Sequence, residues 1–248
     1  MGFRHPVQVL HGVSAYCLML VLSLGLLWLA QWFGGLPAAF ARVGAMQVAC
    51  LLTIALVVGT GRLAIAPTLG LARCSWSSLV AALLLGGGLM VLVAATLARL
   101  YYLGEAEDHA RAVDEVLGEA RVQLGGLTLA LMVVAFAPLS EELLFRGLIL
   151  RGMLDRFPPW AAVLVTTVLF AMLHAHPVHS LVTGVLGLAC AIVVIRQGSI
   201  WPAVIMHAAW NGSAMLMDET GVPGVLPLWT IAPALVMIGG GILLMGRR

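Results

Sequence analysis

The feature that most constrains this chain is a succession of long apolar runs almost free of charge. "VSAYCLMLVLSLGLLWLAQWF", residues 13–33, contains no Asp, Glu, Lys, Arg or His. About 20 such residues suffice for an α-helix to cross the hydrocarbon core of a bilayer. Comparable runs lie at about 13–33, 43–61, 77–98, 124–153, 159–176, 179–195, 200–217 and 226–245. They predict an all-α polytopic membrane protein, with about eight transmembrane helices in one bundle and one domain over residues 1–248. Of the 248 residues, 62% are hydrophobic and 10% charged, against about half and about a quarter in ordinary soluble domains. The formal net charge of +2 gives no basic footprint for nucleic acid. The lipid bilayer is the expected partner.

Between the third and fourth runs lies "GEAEDHARAVDEVLGEARVQL", the most charged segment of the chain. Its apolar residues Ala106, Ala110, Val113, Leu117 and Ala120 recur at three and four, and Glu107, Arg111 and Glu115 are spaced by four. That pattern predicts an extramembrane amphipathic helix over about 103–121. Orientation follows from the arginines, because cytoplasmic loops hold an excess of basic residues. With the N-terminus inside, nine arginines fall on the cytoplasmic side and four (Arg42, Arg99, Arg111 and Arg121) fall outside. Both termini are therefore expected in the cytoplasm, in a prokaryotic inner (plasma) membrane. The cysteines Cys17, Cys50, Cys74 and Cys190 form no C-x-x-C pair, so they carry no metal or redox signature. The glycine clusters at 86–88 and 239–241 lie inside apolar runs, where small residues let helices approach closely.

Ionisable groups inside membrane spans are costly and mark function by default. Here they are Glu141, Glu142 and Arg146 in the fourth run, His174 near the end of the fifth and His207 in the seventh, with Asn211 one turn beyond His207. His176 and His179 lie in the connection "HAHPVHS". At about 100° per residue, Glu142 and Arg146 share a helix face, whereas Glu141 and Arg146 diverge by about 140°. Glu142 is therefore the natural partner of Arg146, and Glu141 is left for chemistry. Phe170 and His174 share a face by the same spacing, as do His207 and Asn211. Glu141 and His174 are each about 25 Å of helix from the turn near Phe157, and His207 and Asn211 are roughly 13–20 Å from the turn near Gly198. Three helices thus bring Glu141, His174, His207 and Asn211 toward one depth, between the midplane and the extracytoplasmic face.

A Glu and a His sharing one water can polarise it for attack on a carbonyl. A His and an Asn on a neighbouring helix can donate to the oxyanion that forms. "EELLFRG", "FAMLH" and "HAAWN" resemble the E-E-x-x-x-R, F-x-x-x-H and H-x-x-x-N motifs of the CPBP family, the CAAX proteases and bacteriocin-processing intramembrane proteases. The resemblance covers roughly 135–215. It implies an eight-helix membrane endopeptidase without a covalent intermediate or a metal cofactor. In it, Glu141 and His174 would activate water, His207 and Asn211 would hold the oxyanion, and Glu142, Arg146 and Phe170 would support the site. The implied partner is a protein or peptide substrate in or at the membrane. An outward-facing site fits a lipid-anchored precursor or a C-terminal sorting signal better than a cytosolic prenylated tail.

Three other readings of the same residues stand beside this one. Glu141, His174 and His207 could ligate zinc as N and O donors, with His176 and His179 nearby, although no H-E-x-x-H occurs. The fold could serve a non-enzymatic binding or immunity protein. The buried charges could also form a transport relay, although the paired broken-helix repeats of many transporters are absent from the sequence.

Overall fold

The computed structural model describes residues 9–33, 38–97, 107–174, 176–220 and 225–246. The protein is all-helical, with no strand among the described residues. In chain order the helices are α1 (Val9–Phe33), α2 (Ala38–Thr60), the short α3 (Ile65–Leu69), α4 (Trp76–Ala95) and α5 (Glu107–Leu124). A long helix α6 (Gly126–Leu154) follows. Then come α7 (Pro159–Met172), α8 (Pro177–Gln197), α9 (Trp201–Glu219) and, after a 3₁₀ turn at Leu228–Thr230, α10 (Ile231–Leu244). Among the described residues, five helices are long and apolar enough to cross a membrane: α1, α2, α4, α6 and α8. The α7 helix and the Leu228–Leu244 segment are apolar but shorter. The α9 helix is long enough, but His207, Asn211, Asp218 and Glu219 lower its hydropathy.

The outer surface is apolar: Val21, Leu24, Leu56, Leu83, Leu164, Leu188, Val236 and Leu243 are all exposed, most of them well inside their helices. A soluble protein would leave so continuous an apolar surface in water, whereas lipid accepts it. The chain is an integral membrane protein.

Small residues set the helix spacing. A Cβ at Gly86 of α4 would collide with the carbonyl of Met206 in α9. One at Gly88 would lie 3.1 Å from the carbonyl of Ala234, and one at Gly241 of α10 would lie 2.9 Å from the carbonyl of Ala81. Both glycine clusters therefore sit where α4 meets α9 and α10 nearly backbone to backbone, as the sequence led one to expect. On the other side α1 packs on α2, and Ala15, Met19 and Ala49 of these helices belong to the same buried core. At one end of the bundle, Ile200 N donates to Gly70 O at 3.1 Å and Ser199 Oγ to Ala72 O at 2.7 Å, tying the start of α9 to the loop between α3 and α4.

The amphipathic helix occupies Glu107–Leu124, three residues beyond the expected C-terminal bound; residues 103–106 lie outside the described ones. The expected ion-pair spacing of Glu107, Arg111 and Glu115 falls partly on side chains outside the description. Gly125, at φ 79°, lets the chain turn from α5 into α6. Ala120 and Leu117 of α5 pack with Leu129 and Val133 of α6, Val43 of α2 and Met215 of α9. Arg121 donates to Asp218 at 2.8 Å and lies 3.7 Å from Glu219, linking α5 to the end of α9. Burial, and then the Asp218 charge, push the Asp114 carboxyl above its ordinary range.

Candidate active site

The α6 helix is not uniformly α-helical. It runs α over Gly126–Ala130, π over Leu131–Phe136, α over Ala137–Glu142, π over Leu143–Leu150 and α over Arg151–Leu154. The wider π turns break the 100° rule just where the sequence reading applied it, between Glu141 and Arg146. The predicted pairing is nevertheless present. Arg146 Nη1 donates to Glu142 Oε1 at 2.9 Å, with both side chains out of solvent contact. Arg146 also donates through Nη2 to the carbonyl of Gly187 in α8 at 2.8 Å, and its guanidinium lies 4.5 Å from the centre of the Phe170 ring. A Cβ at Gly187 would stand 3.0 Å from Phe170 and 3.4 Å from Arg146 Nη2. The glycine thus makes room for the guanidinium.

Glu142 has a second task that spacing did not reveal. Its Oε1 lies 2.9 Å from Nδ1 of His207. A carboxylate paired with arginine only accepts, so Nδ1 carries a hydrogen and the working nitrogen of His207 is Nε2. That Nε2 lies 3.9 Å from Glu141 Oε2, too far for a direct hydrogen bond and a separation at which water can bridge. Glu141, Glu142, Arg146 and His207 are all buried. Two carboxylates and one guanidinium leave one negative charge, which a single proton on Glu141 or on His207 cancels. A buried cluster that is neutral with one mobile proton avoids the cost of an uncompensated charge.

Asn211, one turn after His207, donates through Nδ2 to the carbonyl of Val133 at 2.9 Å. Val133 lies in the first π segment of α6, where the displaced ladder frees carbonyls for outside donors. π turns concentrate at functional sites for this reason. The second N–H of the Asn211 amide is not used by that bond.

His174 sits differently from the sequence reading. The depth estimate carried α-helix through to His174, but α7 ends at Met172 and His174 lies in the turn that follows. Among the described residues, no hydrogen bond or ion pair joins His174 to Glu141. Its ring packs edge-on to Phe170 at 5.6 Å between centroids and lies 4.9 Å from the ring of His179. Its Nδ1 is buried without a hydrogen-bond partner. Phe170 is the hub of the site: it also meets His207 at 5.8 Å and Phe145 at 5.3 Å. His176 precedes α8 as its N-cap and His179 belongs to its first turn, rather than to a loop. No group of three or more His, Cys, Asp and Glu among the described residues is arranged to hold a metal.

Sequence reasoning missed one residue. Gln47 of α2, which is 8% exposed, places its side-chain amide beside the Glu141 carboxyl. It is the one Gln within the second apolar run. A search limited to ionisable groups passed over it, although any polar side chain at that depth is a signal.

Together these residues form a buried carboxylate–arginine–histidine cluster inside a helical membrane protein. Residues 123–213 match the model of the Rce1-like family, the type II CAAX prenyl endopeptidases, in agreement with the resemblance carried by the three motifs. A Bacillus subtilis (strain 168) protein named "Putative membrane peptidase YdiL" is 27% identical over 103 residues, 42% of either chain. An Escherichia coli protein named "Uncharacterized 24.3 kDa protein" is 35% identical over 82 residues, 31% of this chain and 38% of its own. The chain thus spans about two-fifths of the length of these curated relatives. No solved structure matches it.

Proposed function

We propose that the protein is an intramembrane endopeptidase of the CPBP type, hydrolysing a peptide bond of a membrane-associated or lipid-anchored precursor. The observation that carries this reading is the 3.9 Å approach of Glu141 Oε2 to His207 Nε2, with Glu142 bonded to the far nitrogen of the same ring. A water held between Glu141 and the substrate carbonyl gives one proton to Glu141 as its oxygen bonds to the carbonyl carbon. The oxyanion that results accepts from Nε2–H of His207 and from the second N–H of Asn211. Glu141 then returns the proton to the departing amine as the C–N bond breaks. The proton taken from the water leaves with the amine, and the cluster's charge returns to its starting value. His174, at the rim, orients water or substrate from the turn after α7. This reading needs no metal. A zinc site on Glu141, His174 and His207 would require His174 to move toward Glu141.

We read eight crossings in one domain, with α7, α9 and α10 added to the five long helices. Exposed tryptophans support this: Trp76, Trp160 and Trp201 stand at the starts of α4, α7 and α9, while Trp28 and Trp32 end α1 and Trp229 precedes α10. Alternating crossings put the first three at one interface and the last three at the other, as aromatic belts require. Arg146 is buried and paired, so it leaves the loop count; the remaining arginines still favour cytoplasmic termini in an inner (plasma) membrane. The amphipathic α5 then lies outside the membrane, on the extracytoplasmic side, and so does the nearer end of the site. A C-terminal sorting signal or a lipid-anchored precursor is the matching substrate.

The test compares cells producing the wild-type chain with cells producing Glu141→Gln, by mass spectrometry of membrane-protein termini. New termini made by the wild type should vanish in the variant and persist when a chelator is added. Identical termini in both strains would sink the protease reading, and loss on chelation would favour the zinc form.

A further inference from the structure

Gln47 lies in α2, about 80 residues upstream of the segment that matches the family model. It is buried between helices, on the face that also carries the fully buried Cys50. Its amide lies beside the Glu141 side chain, and α2 packs on the Ala137–Glu142 segment that carries it. An ionised carboxylate only accepts, so the group that serves it is Nε2–H. That leaves Oε1, which is buried and has no hydrogen-bond partner. A buried acceptor without a donor calls for an explanation, and a catalytic role or a bound water is among the ordinary ones. The acceptor belongs to the amide that lies beside the reactive carboxylate, so what fills it comes to Glu141 as well.

We infer that Gln47 is a positioning residue for the hydrolysis, orienting both Glu141 and the attacking water. Nε2–H fixes the Glu141 carboxylate against rotation. Oε1 accepts the second hydrogen of the water whose first hydrogen faces Glu141. With both hydrogens committed, the oxygen lone pair has one remaining direction, toward the substrate carbonyl carbon. The inference rests on the protease reading for the water, but the Gln47 bond to Glu141 is independent of any substrate. It also gives the first four helices a part in the chemistry.

Infrared difference spectroscopy on the full chain in lipid nanodiscs, between acid and alkaline pH, tests this without a substrate. The Glu141 carboxyl band is assigned by its loss in Glu141→Gln. In Gln47→Leu it should move to the position of a carboxyl lacking this bond; Gln47→Met, unbranched and close in length, serves if the Leu variant does not fold. On an internally quenched peptide carrying an acylated, lipid-anchored cysteine, Gln47→Met should lower kcat about 10- to 100-fold with KM unchanged, the expected cost of a misplaced base. A Glu141 band that stays in place in the Gln47 variants overturns the inference. So does full kcat in Gln47→Met beside an inactive Glu141→Gln. Full activity of Glu141→Gln overturns instead the protease reading, and the infrared result still decides the Gln47 bond.

Discussion

The two halves of the molecule solve the membrane problem in opposite ways. The α1, α2 and α4 helices bury almost no charge and pack through alanines and glycines. The α6 to α9 region buries two glutamates, an arginine and a histidine, and its central helix departs twice into π turns. In the first region the helical backbone largely satisfies itself and few side chains bond across helices, Ser78 Oγ to Gln197 Oε1 at 2.8 Å being one. In the second, side chains take over part of the backbone's bonding, as when Gly187 O accepts from Arg146 and Val133 O from Asn211. Regular helices of small residues make a rigid wall; irregular helices supply the polar groups held against it. The wall adds one polar group of its own to the site, Gln47.

This contrast can be broken by exchanging tolerance for intolerance. The largest effect is expected at Arg146. Arg146→Met leaves Glu142 buried with His207 as its sole partner, and losing one member of a buried ion pair costs about 3–5 kcal/mol. Thermal melting in detergent should show that loss, and unchanged melting would mean that the pair is not buried in the protein. Next comes His207→Gln, which keeps a polar side chain but loses the ring that spans Glu142 and Glu141. Turnover should fall about 10²- to 10³-fold, the usual effect of removing an oxyanion donor, with a smaller change in melting than at Arg146.

The wall should fail by a different mechanism. Gly86→Ala puts a methyl group against the Met206 carbonyl, and overpacking of this kind costs about 1–3 kcal/mol. The variant should melt earlier while the kcat of the folded fraction stays near wild type. If kcat falls as far as it does for His207→Gln, the two halves are not separable in this way. The smallest effect belongs to Arg121→Ala. It removes solvent-exposed contacts to Asp218 and Glu219, worth about 0–1 kcal/mol. A large change there would give α5 a role in covering the site.

The sequence made the charged half readable and left much of the wall silent. Glu142 and Arg146 could be paired from a four-residue spacing, because two unlike charges at that depth have few other partners. The glycine clusters could be read as close contacts for a similar reason: little else explains three glycines inside an apolar helix. The π turns in α6 were not legible, since they arise from packing and cross-helix bonds rather than from any local preference. The turn at His174 was not legible, because α7 ends before it and a His in a turn looks the same in sequence as one in a helix. The role of Glu142 in holding His207 needed three dimensions: two residues 65 apart meet through the fold. Hydropathy found α1 and α4 easily but underrates α9, where the polar residues of the site sit.

The central claim divides adjacent carboxylates between two tasks, and it is tested most directly by measuring Glu141→Gln and Glu142→Gln side by side. Each purified variant would be melted in detergent and assayed for cleavage of the same precursor. The account predicts that Glu141→Gln melts near the wild type and is inactive. Glu142→Gln should melt markedly earlier, because Arg146 and His207 lose their shared acceptor. Equal melting losses in the two variants, or cleavage surviving in Glu141→Gln, would contradict it.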